Sequence, residues 1–326
     1  GKAHNERLTQ VAAKGFLGKV YLTMAGFPLN DTAKKAEAQQ LFKEVIDYAT
    51  ARNKYWMADM DAWNQSWLHE NDNKYAIFEI QYIAEAGQGN PMVTLTVHSN
   101  PGTDWCGNNL MTGTHVYIER GLQRHFIAKD EITGEYIDKR ADGTLNLKET
   151  VDEDGNIVTS EGKTFYTKYF ESKVKRAKFG MSDMDATIVD RSYWPQNFQL
   201  LRIEDIMLLY AECVGNTIEG REVVNKIRRR AGLADLDINL SEEEFQKAVQ
   251  DERRYELAEE GVRWFDLVRR NEYVDTIKQM FINDDDTENG TYRQYANRVN
   301  ADMYLYPIPQ SQIEVRKGLY TQNKGY

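Results

Sequence analysis

The chain has 326 residues, a formal net charge of −10, and a composition of 41% hydrophobic and 28% charged residues. This length predicts one large domain or two ordinary ones, with core enough to fold without disulfides. The acidic balance disfavours binding to a phosphate backbone, and no apolar run reaches the roughly 18 residues of a transmembrane helix. Two cysteines, Cys106 and Cys213, lack the CxxC spacing of a zinc or redox site, and the sequence leaves their pairing open.

Residues 7–51 are predicted to form a helical hairpin. Apolar residues recur with the 3.6-residue period of a helix, and the Gly-Phe-Pro sequence at 26–28 is expected to end the first helix. Asp31 or Thr32 can then cap the second helix. Within the first helix, Leu17-Gly18-x-x-Tyr21 is typical of a tetratricopeptide repeat, in which the glycine lets the paired helix approach.

Residues 52–199 lose the helical period and are predicted to be an irregular α/β insertion that binds the ligand. Strands are predicted at 75–82 and 92–97, and hairpin turns at Asp142-Gly143 and Asp154-Gly155. Glycine and asparagine concentrate between residues 87 and 113, so exposed loops are expected there. Loops of this kind commonly carry binding sites.

Residues 200–270 regain a strong helical period and are predicted to form a helical bundle. Its first helix should end at Gly215-Asn216 and its second at Gly232, because glycine accepts the left-handed backbone that follows many helices. Ser241 and Glu244 form a capping box, which should begin a third helix that runs to about Arg270. The tail, residues 271–326, contains an acidic loop at 284–286 and an extended stretch around its prolines, and is expected to pack on the bundle.

The densest charged motif spans residues 251–267, and the glutamates at 252, 256 and 260 share one helix face. One interpretation is catalytic, since a retaining glycosidase uses two carboxylates about 5.5 Å apart. However, Glu252 and Glu256 on one face of one helix cannot flank a sugar from opposite sides. Arginines at 253, 254 and 263 could also hold them ionised. A structural ion-pair network is therefore the favoured interpretation.

Metal and cofactor sites find little support in the sequence. The five histidines form no HExxH pair, and no nucleotide-binding or nucleophile motif is present. The oxygen-rich stretches at 152–156 and 284–288 do not complete a twelve-residue calcium loop, and solvated turns are the favoured interpretation. No catalytic residue, metal or cofactor is expected.

Aromatic residues concentrate in the insertion, where five of the six tryptophans lie. A sugar site needs exposed rings beside polar side chains, and Trp105 meets this description best because Asp104, Asn108 and Asn109 surround it. The candidate ligand-binding residues are Trp67, Asp104, Trp105, Asn108, Asn109, Tyr193 and Trp194. The helix-compatible spacing of tryptophans 56, 63 and 67 favours the core for these three, and for Trp105 core and surface are both open. One ring face contributes about 2–3 kcal/mol before losses, so several rings, and hence an oligosaccharide, are favoured.

Four motifs in a fixed order resemble the SusD/RagB family. They lie at residues 200–212, 224–233, 252–269 and 305–326, and the helix at 12–22 resembles the family's repeat helix. The motif residues with a structural role are Arg202, Glu212, Asn225, Arg228, Glu252, Arg253, Glu256, Arg263, Trp264 and Asp266. The resemblance implies a mainly α fold, a SusD-like α-α superhelix of tetratricopeptide-like hairpins with an irregular α/β insertion, forming a single domain over residues 1–326.

The resemblance also implies a function without catalysis. A family member binds oligosaccharide or polysaccharide nutrients on the outward-facing surface of the bacterial outer membrane and delivers them to a SusC-like TonB-dependent transporter. Family members carry a lipid anchor and further repeat helices before the point where this chain begins, so a longer N-terminal part is expected. A peptide ligand, a glycoside hydrolase and a protein-binding adaptor of the tetratricopeptide type are the alternatives. The family's ligand residues follow no motif, so none is transferred by position.

Overall fold

The computed structural model describes residues 8–68, 71, 73–85, 87–92, 118–145, 149–151, 157–159, 166–169, 173–181, 194–283, 293–316 and 318–326. The fold is mainly α, as predicted, with two small antiparallel sheets. The helices are α1 (Gln10–Ala25), α2 (Lys34–Ala51), α3 (Met60–Gln65), α4 (Arg120–Ile127), α5 (Ala141–Thr144), α6 (Lys173–Lys178), α7 (Ile203–Val214), α8 (Ile218–Arg230), α9 (Glu242–Glu256), α10 (Arg263–Arg269), α11 (Tyr273–Asn283), α12 (Arg293–Ala296) and α13 (Gln310–Val315). The strands are β1 (Ala76–Ile80), β2 (Glu149–Val151), β3 (Ile157–Thr159) and β4 (Phe198–Arg202). Within these ranges no helix has both the length and the apolar character needed to cross a membrane.

The first hairpin consists of α1 and α2, as the periodicity predicts. Thr9 caps α1 by accepting a hydrogen bond from the Ala12 backbone at 3.1 Å, and α1 ends at Ala25, immediately before the Gly-Phe-Pro sequence. The expected side-chain cap of α2 is wrong. Backbone carbonyls of the preceding turn, including that of Asp31, accept from the first amides of α2, so Ala33 occupies the N-cap without a side-chain bond.

Gly18 is buried where α1 meets α2, in the role predicted for the repeat glycine. A Cβ atom at this position would lie 2.6 Å from the Phe42 ring, which is itself fully buried. We therefore expect Gly18→Ala to lower the free energy of unfolding by about 1–3 kcal/mol, because the added methyl overpacks a closed interface. Urea unfolding measures this change. Ala36→Ser, at an exposed position of α2, is the control and should stay within about 0.5 kcal/mol of the parent; an equally small effect at Gly18 would contradict the packing argument.

The second hairpin consists of α7 and α8. The segment before it is a strand, whereas the sequence predicted a helical bundle from residue 200. Residues 198–202 form strand β4, which pairs antiparallel with β1 from Ala76↔Arg202 to Ile80↔Phe198, so the helix begins only at Ile203. Nearly every residue of α7 is buried, because this helix packs against both α2 and α8. Gly215 and Gly232, with φ values of 74° and 80°, follow the two helices as predicted. Cys213 is a buried free thiol in α7.

Helix α9 begins with the predicted capping box, in which Ser241 and Glu244 bond reciprocally. The prediction that it continues to Arg270 is wrong. It ends at Glu256, and a turn at residues 257–262 separates it from α10. Glu259 and Gly261 adopt φ values of 72° and 74° in this turn, a left-handed backbone that a continuous helix cannot contain.

The insertion contains helices α3 to α6 and strands β1 to β3. The predicted strand at 75–82 is confirmed as β1, and β2 and β3 pair antiparallel on either side of Asp154-Gly155. Asp142-Gly143 forms no hairpin turn. It lies in the short helix α5, where Gly143 allows the Trp63 ring to pack directly against the backbone. Most of the predicted strand at 92–97, the Asp154-Gly155 turn itself and the acidic loop at 284–286 lie outside the described residues.

Candidate functional site

Glu256 lies at the centre of a buried group of charged side chains. Its carboxylate is fully buried, and it accepts hydrogen bonds from Arg202 at 2.9 Å, Arg230 at 2.6 Å and Arg140 at 2.9 Å. The indole nitrogen of Trp63 donates a further bond at 3.2 Å. Burial opposes ionisation, but the charges of the three arginines outweigh it and hold the pKa of Glu256 well below its usual range. Glu256 is therefore a fixed counterion.

The arginines around Glu256 each bind further carboxylates, which creates an extended ion-pair network. Arg140 pairs with Glu252 at 2.6 Å, and Arg202 pairs with Glu260 at 2.7 Å. We call this network the central ion cluster; its members are Asp138, Arg140, Lys168, Arg202, Glu204, Arg230, Glu252, Glu256 and Glu260. Because Asp138, Arg140 and Lys168 belong to the insertion, the cluster fastens the insertion to the bundle.

A second ion cluster lies on the other side of α9 and joins it to α10 and α7. Arg253 donates to Asp266 and Asp205, each at 2.9 Å, and Arg269 donates to Glu212 at 2.5 Å and to Asp266 at 2.9 Å. Burial opposes the ionisation of Glu212, but Arg269 outweighs it and lowers the pKa to about 2. These contacts fix the angle between α9 and α10 across the turn.

Two further motif residues, Asn225 and Arg228, stabilise the helical hairpins and bundle, which we call the frame. Asn225 accepts a bond from the Leu236 backbone at 2.8 Å, and Arg228 donates to the Ala234 carbonyl at 2.8 Å. Both contacts hold the segment that follows α8. Arg228 also reaches Glu252 at 3.2 Å.

The predicted ion-pair network is thus present, but its partners differ from those expected. Arg253 and Arg254 do not neutralise Glu252 and Glu256: Arg253 pairs as described above, and Arg254 pairs with Glu119. Arg263 forms no hydrogen bond or ion pair with any described residue. The true partners of Glu252 and Glu256 are Arg140, Arg202, Arg228 and Arg230, which all lie outside α9, so helical spacing carries no signal for them.

A hydrolytic pair cannot be built from Glu252 and Glu256. The two side chains are 1% and 0% exposed, and arginines occupy the space that a sugar and its attacking water would need. A general acid also needs a raised pKa, whereas that of Glu256 is lowered. Across the described ranges, no three metal-binding side chains of the His, Cys, Asp or Glu type are grouped to hold a metal ion.

Two of the candidate ligand residues are core residues. Trp67 and Trp194 are 1% and 0% exposed, so neither presents a ring to a ligand in solvent; for Trp67 the core position that its helix-compatible spacing favoured is confirmed. Trp67 packs against the central ion cluster, with Lys168 and Arg202 at 5.0 Å and 5.2 Å from its ring centroid. Trp194 donates to the Tyr169 carbonyl at 3.1 Å. Aromatic side chains of the insertion therefore pack against buried charged groups, a role that composition alone does not predict.

The other candidates, Asp104, Trp105, Asn108, Asn109 and Tyr193, lie outside the described residues, and their roles stay predictions. Described residues on both sides of the segment 93–117 are bonded to other parts of the fold. On one side, Asn90 bonds to the Trp194 carbonyl at 2.7 Å and the Gln196 carbonyl at 2.9 Å. On the other side, the Glu119 carboxylate caps α4 and pairs with Arg254. Asn90 and Glu119, which lie on either side of this segment in the sequence, therefore have fixed positions.

A large open cavity of about 1130 Å³ lies along α9, α10 and α11. Arg263 and Trp264, which the sequence indicated only as structural motif residues, both line it. Both side chains are half-buried, and the Trp264 ring meets Tyr273 edge-on at a centroid distance of 5.7 Å. The sequence carries no signal for this cavity, because it forms only when the turn at 257–262 separates the helices.

The fold thus defines a scaffold of helical hairpins whose central carboxylates are locked in structural ion pairs, an architecture suited to binding. The chain belongs to the SusD family, whose sequence profile matches residues 24–326. The curated SusD-like protein P25 of Formosa agariphila is 29% identical over 139 residues, which cover 39% of this chain and 24% of that protein. The resemblance seen in the sequence is confirmed.

Solved structures show the same fold. A SusD homolog from Bacteroides thetaiotaomicron matches with a TM-score of 0.74 and 20% identity, over 100% of this chain and 65% of that one. Surface glycan-binding protein A from Bacteroides thetaiotaomicron, in complex with laminarihexaose, matches with a TM-score of 0.64 and 18% identity, over 98% of this chain and 64% of that one. This chain therefore spans slightly less than two thirds of these solved chains.

Proposed function

We propose that this chain binds an oligosaccharide or polysaccharide nutrient without cleaving it, at the outward-facing surface of the outer membrane. In this proposal a lipid anchor holds the protein at the membrane, and a SusC-like TonB-dependent transporter receives the glycan. The observation that carries the proposal is membership of the SusD family over residues 24–326. It is supported by the shared fold of a glycan-binding relative solved with laminarihexaose.

The charge distribution on the frame favours binding over bond cleavage. The α9 carboxylates that could have served as acid and nucleophile are paired with arginines in the central ion cluster. Such a network holds surrounding loops in a fixed geometry, and a preorganised site loses less free energy on binding. The frame thus supplies rigidity, while the recognition residues must come from elsewhere.

The proposed ligand residues are Trp105 and its polar neighbours Asp104, Asn108 and Asn109. Residues on both sides of the segment that contains them are bonded to the frame, through Asn90 and Glu119. An anchored loop with a ring and amide groups suits a sugar, whose flat apolar face needs a ring and whose hydroxyls need donors and acceptors. Because one ring contributes only about 2–3 kcal/mol, we expect further rings and an oligosaccharide ligand.

Trp105→Ala is expected to weaken oligosaccharide binding at least tenfold and to leave the melting temperature nearly unchanged, because the proposed ring touches ligand and not core. A panel of oligosaccharides that includes laminarihexaose, titrated by calorimetry, measures the binding. Trp105→Tyr retains a ring and should recover part of the affinity. Tyr306→Ala, which removes a ring that is 80% exposed in the tail, is the control and should bind as the parent does.

Two outcomes would contradict this proposal. A large fall in melting temperature for Trp105→Ala would show that its indole belongs to the core. Release of reducing sugars from a bound polysaccharide would show that the protein is a hydrolase. The transporter partner is tested separately, by co-purification of the full-length protein with its SusC-like transporter from outer membranes.

A further inference from the structure

Arg263 differs from the other arginines of the bundle in having neither a carboxylate nor an amide partner among the described residues; even Arg221, which pairs with no carboxylate, donates to the Asn216 side chain at 2.7 Å. Arg228, Arg229, Arg230, Arg253, Arg254, Arg269 and Arg270 each pair with at least one carboxylate. Arg263 is half-buried and has no such partner among the described residues. Burial and the nearby charge of Arg254 lower its pKa, so holding this cation in place costs free energy.

The acidic residues nearest to Arg263 are already engaged with other cations. Asp266 pairs with Arg253 and Arg269, each at 2.9 Å. Asp251 pairs with Lys247 at 2.8 Å, and Glu272 with Arg270 at 3.2 Å. An unpaired guanidinium offers a fork of donors that matches a carboxylate or sulfate group, and here that fork remains unused.

The Arg263 side chain lines the cavity of about 1130 Å³ described above, which can admit a ligand of considerable size. Trp264 lies beside it in the same wall, and Leu257 and Met280 add apolar surface. Polar groups that could bond to hydroxyls, including those of Gln279 and Asn283, also line the cavity. One cavity is thus lined by an aromatic ring, a guanidinium group and hydrogen-bonding side chains.

We propose that this cavity is a second binding site, which takes an acidic sugar residue. The carboxylate or sulfate of the sugar pairs with Arg263, and its apolar face packs on Trp264. The choice of a sugar rests on the proposed function, whereas the requirement for an anion rests on Arg263 alone. The residues that carry this site belong to α9, α10 and α11, whereas Trp105 belongs to the sequence segment 93–117.

The acidic side chains that line the cavity differ in their partners: Asp251, Asp266 and Glu272, near Arg263, are each paired with another cation. Arg254, whose charge acts on Arg263, belongs to the last turn of α9. The acidic side chains Glu243 and Glu244 lie in the first turn of the same helix, about 15 Å away at a rise of 1.5 Å per residue. A sugar with a single acidic group on Arg263 therefore keeps that group away from Glu243 and Glu244, whereas a polyanion that extends to the first turn of α9 would be repelled there.

D-Glucuronate is the first probe, and D-glucose, acetate and inorganic sulfate are the matched comparisons, titrated by calorimetry or ligand-observed NMR. We expect glucuronate to bind at least tenfold more tightly than glucose or either simple anion, because only glucuronate supplies both ring and charge. Arg263→Gln should weaken glucuronate binding at least tenfold. Arg263→Lys, which keeps the charge but loses the fork, should give an intermediate affinity. Arg229→Gln, at an exposed arginine of α8, is the control and should bind as the parent does.

Stability provides an independent measurement on the same variants. Since no described carboxylate depends on Arg263, Arg263→Gln should melt at or above the parent temperature, so a loss of binding would not reflect unfolding. Equal binding of glucuronate and glucose, or unchanged glucuronate binding by Arg263→Gln, would overturn the second site. Glucuronate failing to bind while laminarihexaose or another neutral oligosaccharide binds would overturn this inference and leave the proposed function intact.

Discussion

Glu256→Gln is expected to lower the free energy of unfolding by about 3–5 kcal/mol, which is the usual result of removing one partner from a buried ion pair. The glutamine retains the shape of the side chain and removes its charge. Arg140, Arg202 and Arg230 would then share the remaining carboxylates of the central ion cluster while staying fully buried. Uncompensated charge in the interior, not lost packing, is the cause of this expected effect.

Urea unfolding of the parent, Glu256→Gln and Glu243→Gln measures this effect. Glu243 is an exposed residue on the first turn of the same helix, so its substitution removes a charge without stranding a buried arginine. We expect the control to stay within about 0.5 kcal/mol of the parent. If Glu256→Gln unfolds at the same urea concentration as the control, the central ion cluster does not stabilise the frame.

Acidification is expected to unfold the protein through its buried carboxylates, and Glu212 should account for a measurable share. Its folded pKa is about 2, against an ordinary value of 4.5, because Arg269 stabilises the charged form more than burial opposes it. A depressed folded pKa gives stability that is fully present above about pH 5 and is lost as the pH falls towards 2. A shift of this size corresponds to about 3 kcal/mol at neutral pH.

Unfolding free energies measured from pH 7 to pH 2 test this expectation. Glu212→Gln should flatten the dependence of stability on pH between 5 and 2, because its carboxylate no longer takes up a proton on unfolding. Glu222→Gln provides the control, since that carboxylate pairs with Arg229 at the exposed surface and should contribute little to the slope. A stability that is flat between pH 6 and pH 3 in the parent would contradict the argument.

Local signals predicted the helical frame well. The capping box at Ser241 and the glycines at 215 and 232 act where the sequence placed them, because each depends on neighbours a few residues away. The repeat glycine at 18 also acts as predicted, against Phe42 of the paired helix. The prediction was wrong where a distant element decides the structure. Residues 198–202 form a strand because β1 lies beside them, and no helical period reveals that pairing.

The candidate site was harder to predict, for a similar reason. The spacing of Glu252, Glu256 and Glu260 predicted a network, yet Arg140 binds Glu252 from 112 residues away along the chain. Trp67 and Trp194 occur in an irregular region rich in polar residues, but burial depends on what packs against them. The sequence pattern shows which side chains share one face of a helix. It does not show which residues of other elements pack against that face, because those contacts depend on the fold.

The attachment of the insertion to the bundle has a consequence for protein engineering. Three members of the cluster come after the segment 93–117 in the sequence and do not belong to it: Asp138, Arg140 and Lys168. Exchange of that segment between relatives would therefore leave the described ion pairs of the central ion cluster in place. Under the proposed function, we expect chimeras that exchange these 25 residues to change glycan preference while keeping the central ion cluster.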